Sequence, residues 1–211
     1  MARRKHLEQR RLRTQQILST SARLIREKGF QGMTLQDVAD ELDFTKAALY
    51  YYVADKQDVL FRIFMQTLDM ALAAVEEILH SALSPSEKMR AFIDRQVHMI
   101  AEHPALFSVY FNEKSHLTAE HARAATDKER QIVRAVAAIY QAGVEDGSFY
   151  ALDPAVATFA IMGVSSWVYR WYRPGGRLSI DEVSRILQRV ALQGLERPAM
   201  NHDDHSREQN V

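Results

Sequence analysis

The chain has 211 residues, 47% of them apolar, and its 27 lysines and arginines are balanced by 27 aspartates and glutamates. Such a length allows one small domain plus a larger one, each with its own core, and the balance of charge names no polyanionic partner. Absence of cysteine excludes disulfide frameworks, Cys-ligated zinc and thiol catalysis; no apolar run approaches the ~20 residues that span a bilayer, and the basic N-terminus lacks the apolar stretch of a signal peptide, so a cytoplasmic location without a membrane partner is expected.

Charge is nevertheless unevenly distributed. In the opening stretch Arg3, Arg4, Lys5, Arg10, Arg11, Arg13, Arg23, Arg26 and Lys28 face only Glu8 and Glu27. A basic arm on a neutral chain polarises the surface, although a solvated tail has the same composition.

Helical periodicity runs through almost every segment, and none alternates convincingly with period two, so an all-α fold is expected. In chain order the pattern predicts about nine helices: Leu7–Lys28, Leu35–Leu42, Lys46–Tyr52, Lys56–Leu83, Pro85–Glu102, Pro104–Asn112, Thr118–Asp146, Pro154–Tyr172 and Ile180–Leu195. Thr34, Thr45 and Asp55 each stand where an N-cap belongs, and Ser84-Pro85-Ser86-Glu87 and Ser179-Ile180-Asp181-Glu182 read as capping boxes. Asp153-Pro154 places a cap before a proline whose missing N–H costs nothing at the first helical position. The division expected is a helix-turn-helix domain over 1–55, a ligand-binding and dimerisation domain over 56–197, and a disordered polar tail over 198–211.

Two short helices in the first part must be held by tertiary packing, because short helices are marginal alone. Leu35, Val38, Ala39 and Leu42 form one apolar face, with small Ala39 at its centre to admit a crossing helix. After the turn at Asp43-Phe44, Thr45 caps a helix whose inward residues are expected to be Ala48, Leu49 and Tyr52. Lys46, Ala47, Tyr50 and Tyr51 are then left outward, a set suited to a DNA major groove: caps and cations meet phosphates, and small or aromatic side chains meet thymine methyls. An ordinary αα-hairpin would account for the helices alone; the neighbouring basic helix favours the DNA reading.

These residues carry a family resemblance. The run from Ile17 to Gly29-Phe30, then Met33-Thr34-Leu35-Gln36-Asp37-Val38-Ala39, then Thr45-Lys46-Ala47-Ala48-Leu49-Tyr50-Tyr51-Tyr52 and Asp55-Lys56-Gln57-Asp58-Val59-Leu60 resembles the N-terminal domain of TetR-family regulators. Val53 and Ala47 stand where that family commonly has Phe and Gly. The resemblance implies that Thr34, Thr45, Tyr50 and Lys56 contact phosphate, and that Lys46, Ala47 and Tyr51 face bases. It also implies a homodimer, a double-stranded operator and a small-molecule effector.

In the second part, Val156, Ala160, Gly163 and Val164 on one helix, and Val183, Ile186, Leu187, Val190, Ala191 and Gly194 on the last, keep helical spacing. In TetR-family proteins such a pair forms the two-fold dimer interface, a four-helix bundle; closure of the chain's own core is the alternative. The stretch from Trp167 to Arg177 holds both tryptophans and also Arg170, Trp171 and Arg173. Arginines favour helix C-termini and aromatics anchor interfaces, but forked arginines beside flat rings also suit a ligand with phosphates. This stretch resembles the sensor domains of TetR-family repressors of fatty-acid and steroid degradation, whose effectors are acyl-CoA thioesters. Pocket walls are expected from Met99, His103, Leu106, Phe107, Tyr110, Phe111 and Met162, residue types that equally serve as plain core.

His98 and His103, or His116 and His121, are five apart and fall on different helix faces, so no metal site is expected. No acid/base pair, phosphate loop or nucleophile motif is present, so neither enzyme activity nor a cofactor is expected. The reading is a repressor that binds an inverted-repeat operator and is released by an acyl-CoA; a repressor sensing another hydrophobic compound, or a ligand carrier without DNA binding, are the alternatives.

Overall fold

Gly29 sets the shape of the first domain. In the computed structural model, which describes residues 2–193, α1 (Ala2–Gly32) is kinked where Gly29 takes φ 73°. Only glycine adopts that backbone without strain, and the kink turns Phe30 and Met33 back into the core. The helix α2 (Leu35–Glu41) follows, with Leu35, Val38 and Ala39 buried as the spacing predicts, and then α3 (Lys46–Tyr50). Ile17, Leu18, Leu24 and Ile25 of α1 complete this core. The short recognition helix departs from expectation: Ala48 is exposed, Leu49 is the buried residue of α3, and Val53 takes the inward place beyond it. The helix ends at Tyr50 and not at Tyr52, because the Tyr52 and Val53 N–H groups both turn back to the Leu49 carbonyl.

The long α4 (Lys56–Leu79) starts at the Asp55 cap and carries the chain into the second domain, stopping short of Leu83. There α5 (Pro85–Glu102), α6 (Pro104–Asn112), a 3₁₀ turn (Lys114–His116), α7 (Ala119–Glu145) and α8 (Pro154–Ser166) follow, then α9 (Val168–Trp171) and α10 (Ile180–Gln193). Where the pattern predicts one helix from Pro154 to Tyr172, the structure has two. The Trp167 N–H still bonds the Gly163 carbonyl, but the Arg170 N–H bonds Trp167 itself, a tightening that ends α8 and starts a separate turn. The caps anticipated at Thr34, Thr45, Asp55, Ser84, Asp153 and Ser179 all form. Gly194 and the polar tail lie outside the described residues.

Two contacts position the domains on each other. The helix α6 packs along α1, and α4 runs through both cores, with Val59, Leu60, Ile63 and Phe64 fully buried at its first turns. The 3₁₀ turn adds a polar clasp: Gln57 donates to the His116 carbonyl at 3.0 Å, and the His116 ring lies 5.3 Å from that of Phe30. Displacement of α6 or of the second half of α4 is therefore felt by the first domain through packed, not solvated, surfaces.

Candidate functional site

At the tip of the first domain, Lys46, Ala47, Tyr50 and Tyr51 are all exposed, Tyr51 by 57%. The Thr45 hydroxyl accepts the Ala48 N–H at 3.1 Å, which leaves its own hydrogen free to donate outward. At Thr34 the hydroxyl is more fully engaged, donating to Asp37 at 2.7 Å and accepting the Asp37 N–H. Lys28 lies 2.9 Å from the same carboxylate, and its hydrogen bond, then those of Thr34, hold Asp37 well below the ordinary carboxylate range. The end of α1 is thereby tied to the start of α2, fixing the angle from which α3 projects.

Lys56 is placed differently from a free phosphate contact. Its ammonium donates to the Gln31 carbonyl at 3.1 Å and sits 4.5 Å above the Phe30 ring. It braces α4 against the end of α1. Two arginines of α1 that sequence pattern alone does not single out stand beside the tip: Arg10 lies 5.3 Å from the Tyr51 ring centre and Arg13 5.5 Å from that of Phe44.

The second domain contains a small apolar cavity of about 40 Å³ between α4, α5, α6 and α7. Met99 and Phe107, both anticipated as pocket walls, line it together with Ala71, Ala74, Ile78 and Phe92. Its polar residues are Arg95 and Gln96, on successive positions of α5. Arg95 is exposed and has no ion-pair partner among the described residues.

The other residues expected around the ligand do not gather there. Tyr110 donates to Glu129 at 3.0 Å; burial, and then the Glu129 charge, push its phenol far above the usual value. Phe111 stacks on Tyr169 at 4.4 Å. Met162 is half-buried against the core. His103 ends α5 and, with Leu106, lines a separate groove against Gln16 and Ser19 of α1. Trp171 and Arg173 share a surface groove of about 220 Å³ with Arg177 and Leu178, whereas Trp167 and Arg170 lie exposed outside it. The four residues of this stretch therefore do not gather at the apolar cavity, and α8 ends among them, at Trp167.

An apolar surface stretches over α8 and α10. Val156, Phe159, Ile186 and Val190 are between half and two-thirds exposed, with Ala160 and Gly163 open beside them and Val164, Leu187 and Ala191 half-buried. Phe159, three residues after Val156 and four before Gly163, also belongs to this face although it is not in the expected set. Val183 does not belong: it is 3% exposed and packs inside the protomer. Among the described residues no cluster of metal-ligating side chains occurs, and no helix is long and apolar enough to cross a membrane.

Comparison with known proteins agrees with this layout. Residues 17–63 match the family model described as bacterial regulatory proteins, tetR family, and residues 82–195 match the tetracyclin repressor-like C-terminal domain. The chain is 27% identical over 188 residues to the HTH-type transcriptional repressor KstR2 of Rhodococcus jostii, covering 88% of this chain and 92% of that one. Among solved structures it is similar to the TetR-family regulator PfmR of Thermus thermophilus, with a TM-score of 0.79, 32% identity, and 86% and 99% of the two chains covered. It is also similar to AibR in complex with isovaleryl coenzyme A and operator DNA, with a TM-score of 0.77, 25% identity, and 84% and 97% covered.

Proposed function

The chain belongs to the TetR family of transcriptional regulators, and from that premise we propose that it represses transcription at an inverted-repeat operator and leaves DNA when an acyl-CoA thioester binds. A two-fold dimer joined through α8 and α10 would present two copies of α3 to successive major-groove segments, about 34 Å apart or a small multiple of that. Thr45, Lys46, Ala47, Tyr50 and Tyr51 are the contact set in this reading, with Thr34 and Lys56 acting chiefly to hold α3 in place. Relatives point the same way: KstR2 is a repressor, and AibR was crystallised with an acyl-CoA and operator DNA together.

The observation that carries the effector reading is the apolar cavity with Arg95 and Gln96 as its polar side. At about 40 Å³ the enclosed space is smaller than an acyl group, so an acyl chain would enter it only by moving its walls, and a whole CoA ester would not fit. The acyl moiety would bury apolar area at ~25 cal/mol per Å², while the nucleotide would remain at the surface. Arginines there can meet its phosphates as bidentate forks. Arg95 stands nearest the cavity, and Arg173 and Arg177 with Trp171 form a second cationic, aromatic groove.

Release follows if the ligand favours one conformation. Phe107 lines the cavity from α6, which packs on α1, and Ala71 to Ile78 line it from α4. An acyl group that displaces these walls re-aims the first domain, and a ~100-fold preference for the displaced state shifts the balance by ~2.7 kcal/mol per site. The test titrates an acyl-CoA, the matching free acid and CoA alone against a fixed protein–operator complex. Release by the thioester alone supports the reading. Equal release by free acid and thioester removes CoA from it and favours a generic hydrophobic effector.

A further inference from the structure

The beginning of α1 adds no side chain to the core. From Lys5 to Gln16 no residue is buried, and Ile17 is the first side chain to enter the core. The match to the family's DNA-binding domain also starts at residue 17. A polar helix without packing is marginal in water, so this one needs a surface to lie on.

Its charge says what kind of surface. Across this stretch Lys5, Arg10, Arg11 and Arg13 are opposed only by Glu8. Lys5, Arg10 and Arg11 form no ion pair among the described residues, while Arg23 and Lys28 further along the same helix are both neutralised by carboxylates. The exposed leucines, Leu7 and Leu12, are five apart and so sit on different sides of the helix. They make no apolar stripe of the kind that would lay the segment in a lipid interface.

Position names the partner. Between this stretch and the end of α3 lies an open groove of about 460 Å³, lined by residues that include Gln9, Arg10, Arg13, Gln16, Tyr51 and Tyr52. Arg10 is 5.3 Å from the ring of Tyr51, the outermost aromatic of the recognition helix. The cationic stretch is therefore continuous with the surface that reads DNA.

We infer that residues 5–16 of α1 form a second DNA contact, gripping phosphates that flank the sequence read by α3, through Arg10, Arg11 and Lys5. The inference rests on the DNA-binding reading above. Twelve helical residues extend ~18 Å, a length of duplex that carries roughly ten phosphates. Contacts of this kind are blind to sequence and depend on salt, so they lengthen the footprint without narrowing the operator.

The test uses the full chain and a core operator selected by it from a random duplex pool, offered either bare or extended by arbitrary flanks on both sides. Wild type is expected to bind the extended duplex more tightly at low salt and with a steeper salt slope than the bare core. The double variant Lys5→Ala/Arg11→Ala, at exposed positions that touch neither the core nor Tyr51, is expected to bind the bare core as wild type does. On the extended duplex its slope should flatten by ~0.9 for each phosphate that is no longer neutralised, up to about four per dimer. Equal slopes for wild type on the two duplexes would overturn the flanking contact while leaving operator recognition by α3 intact. Failure to select any duplex would overturn both. Binding of anionic vesicles by wild type, with no flank effect on DNA, would reassign the stretch to a membrane surface.

Discussion

Ser165 Oγ donates to Gln96 Oε1 at 2.6 Å, joining the buried side of α8 to a residue that lines the apolar cavity. One partner lines the cavity and the other lies on a helix of the exposed apolar face, so in the proposed reading the bond is a short physical link between effector and dimer. Ser165→Ala removes the donor without adding volume. Such links modulate coupling by ~0.5–2 kcal/mol. The variant is expected to bind operator and ligand with wild-type affinity, yet to need ~2–30 times more acyl-CoA for half-release. Calorimetry for ligand, beside anisotropy for DNA release, separates the two quantities; an unchanged release midpoint removes Ser165 from the coupling.

Gly143 illustrates a tighter constraint. A Cβ at this position would lie 2.2 Å from the Phe149 ring, whose backbone N–H also bonds the Gly143 carbonyl at 2.8 Å. The ring is fully buried and stacked on Tyr140, so it cannot retreat. Gly143→Ala is expected to destabilise by ~1–3 kcal/mol through overpacking, lowering Tm by ~2–4 °C for each kcal/mol. Adding Phe149→Leu should recover part of that loss. An alanine variant that melts with wild type would show that the turn after α7 repacks freely.

His98 sits between two acceptors. Its Nδ1 is 2.9 Å from the Asp94 carbonyl and its Nε2 is 2.8 Å from the Asp181 carboxylate on α10, so both nitrogens are placed to donate, an arrangement that favours the cationic ring. Burial opposes that charge, but the bond to Asp181, then the Asp94 carbonyl and the two carboxylate charges, outweigh it and raise the pKa above the ordinary value. A raised folded-state pKa stabilises fully below the unfolded value of ~6.5, and that stabilisation is lost as pH rises through the folded value. Wild type should therefore lose more Tm than His98→Gln between about pH 6 and pH 8. Parallel pH profiles for the two proteins would deny His98 this role.

How far the sequence shows these features depends on whether the cause is local. Caps at Thr34, Ser84 and Ser179 are legible because hydroxyl, backbone N–H and the carboxylate three residues on all lie in one short stretch. The break at Trp167 is invisible, since apolar spacing continues through Val164 and Val168 while the hydrogen bonding changes beneath it. Spacing misplaces Val183 for a related reason: periodicity gives a face, not what covers it. Arg95 reads as one solvated charge among many on α5; only the cavity beside it sets it apart.

The engagement of Lys56 changes what its removal should do. Its ammonium is already bound to Gln31 and set over Phe30, at the seam where α1 meets α4. Lys56→Ala is expected to lower Tm and to weaken all operators alike, because α3 is held less firmly. Tyr51→Ala, on an exposed side chain whose ring meets only Arg10 and Tyr52 at the surface, should change Tm far less and alter which sequences are preferred. In vitro selection with both variants checks the contrast; an unaltered consensus for Tyr51→Ala would remove that ring from base readout.

The apolar face over α8 and α10 gives the last prediction. Val190 is 62% exposed and Phe159 60% exposed in the protomer, so a charge at either position costs an isolated chain almost nothing. In a two-fold interface the same charge would meet its own copy or neighbouring apolar groups on the partner, and an unpaired buried charge is strongly destabilising, by ~3–5 kcal/mol. Val190→Glu and Phe159→Glu are thus expected to yield folded monomers with wild-type helical content. Operator affinity should collapse with the dimer, because one protomer reads only one half-site. Val183→Glu is the control: its side chain is buried within the protomer, so this variant should unfold and not merely dissociate. Sedimentation velocity on the first two variants decides the matter. If either stays dimeric while folded, the subunits meet somewhere other than this face.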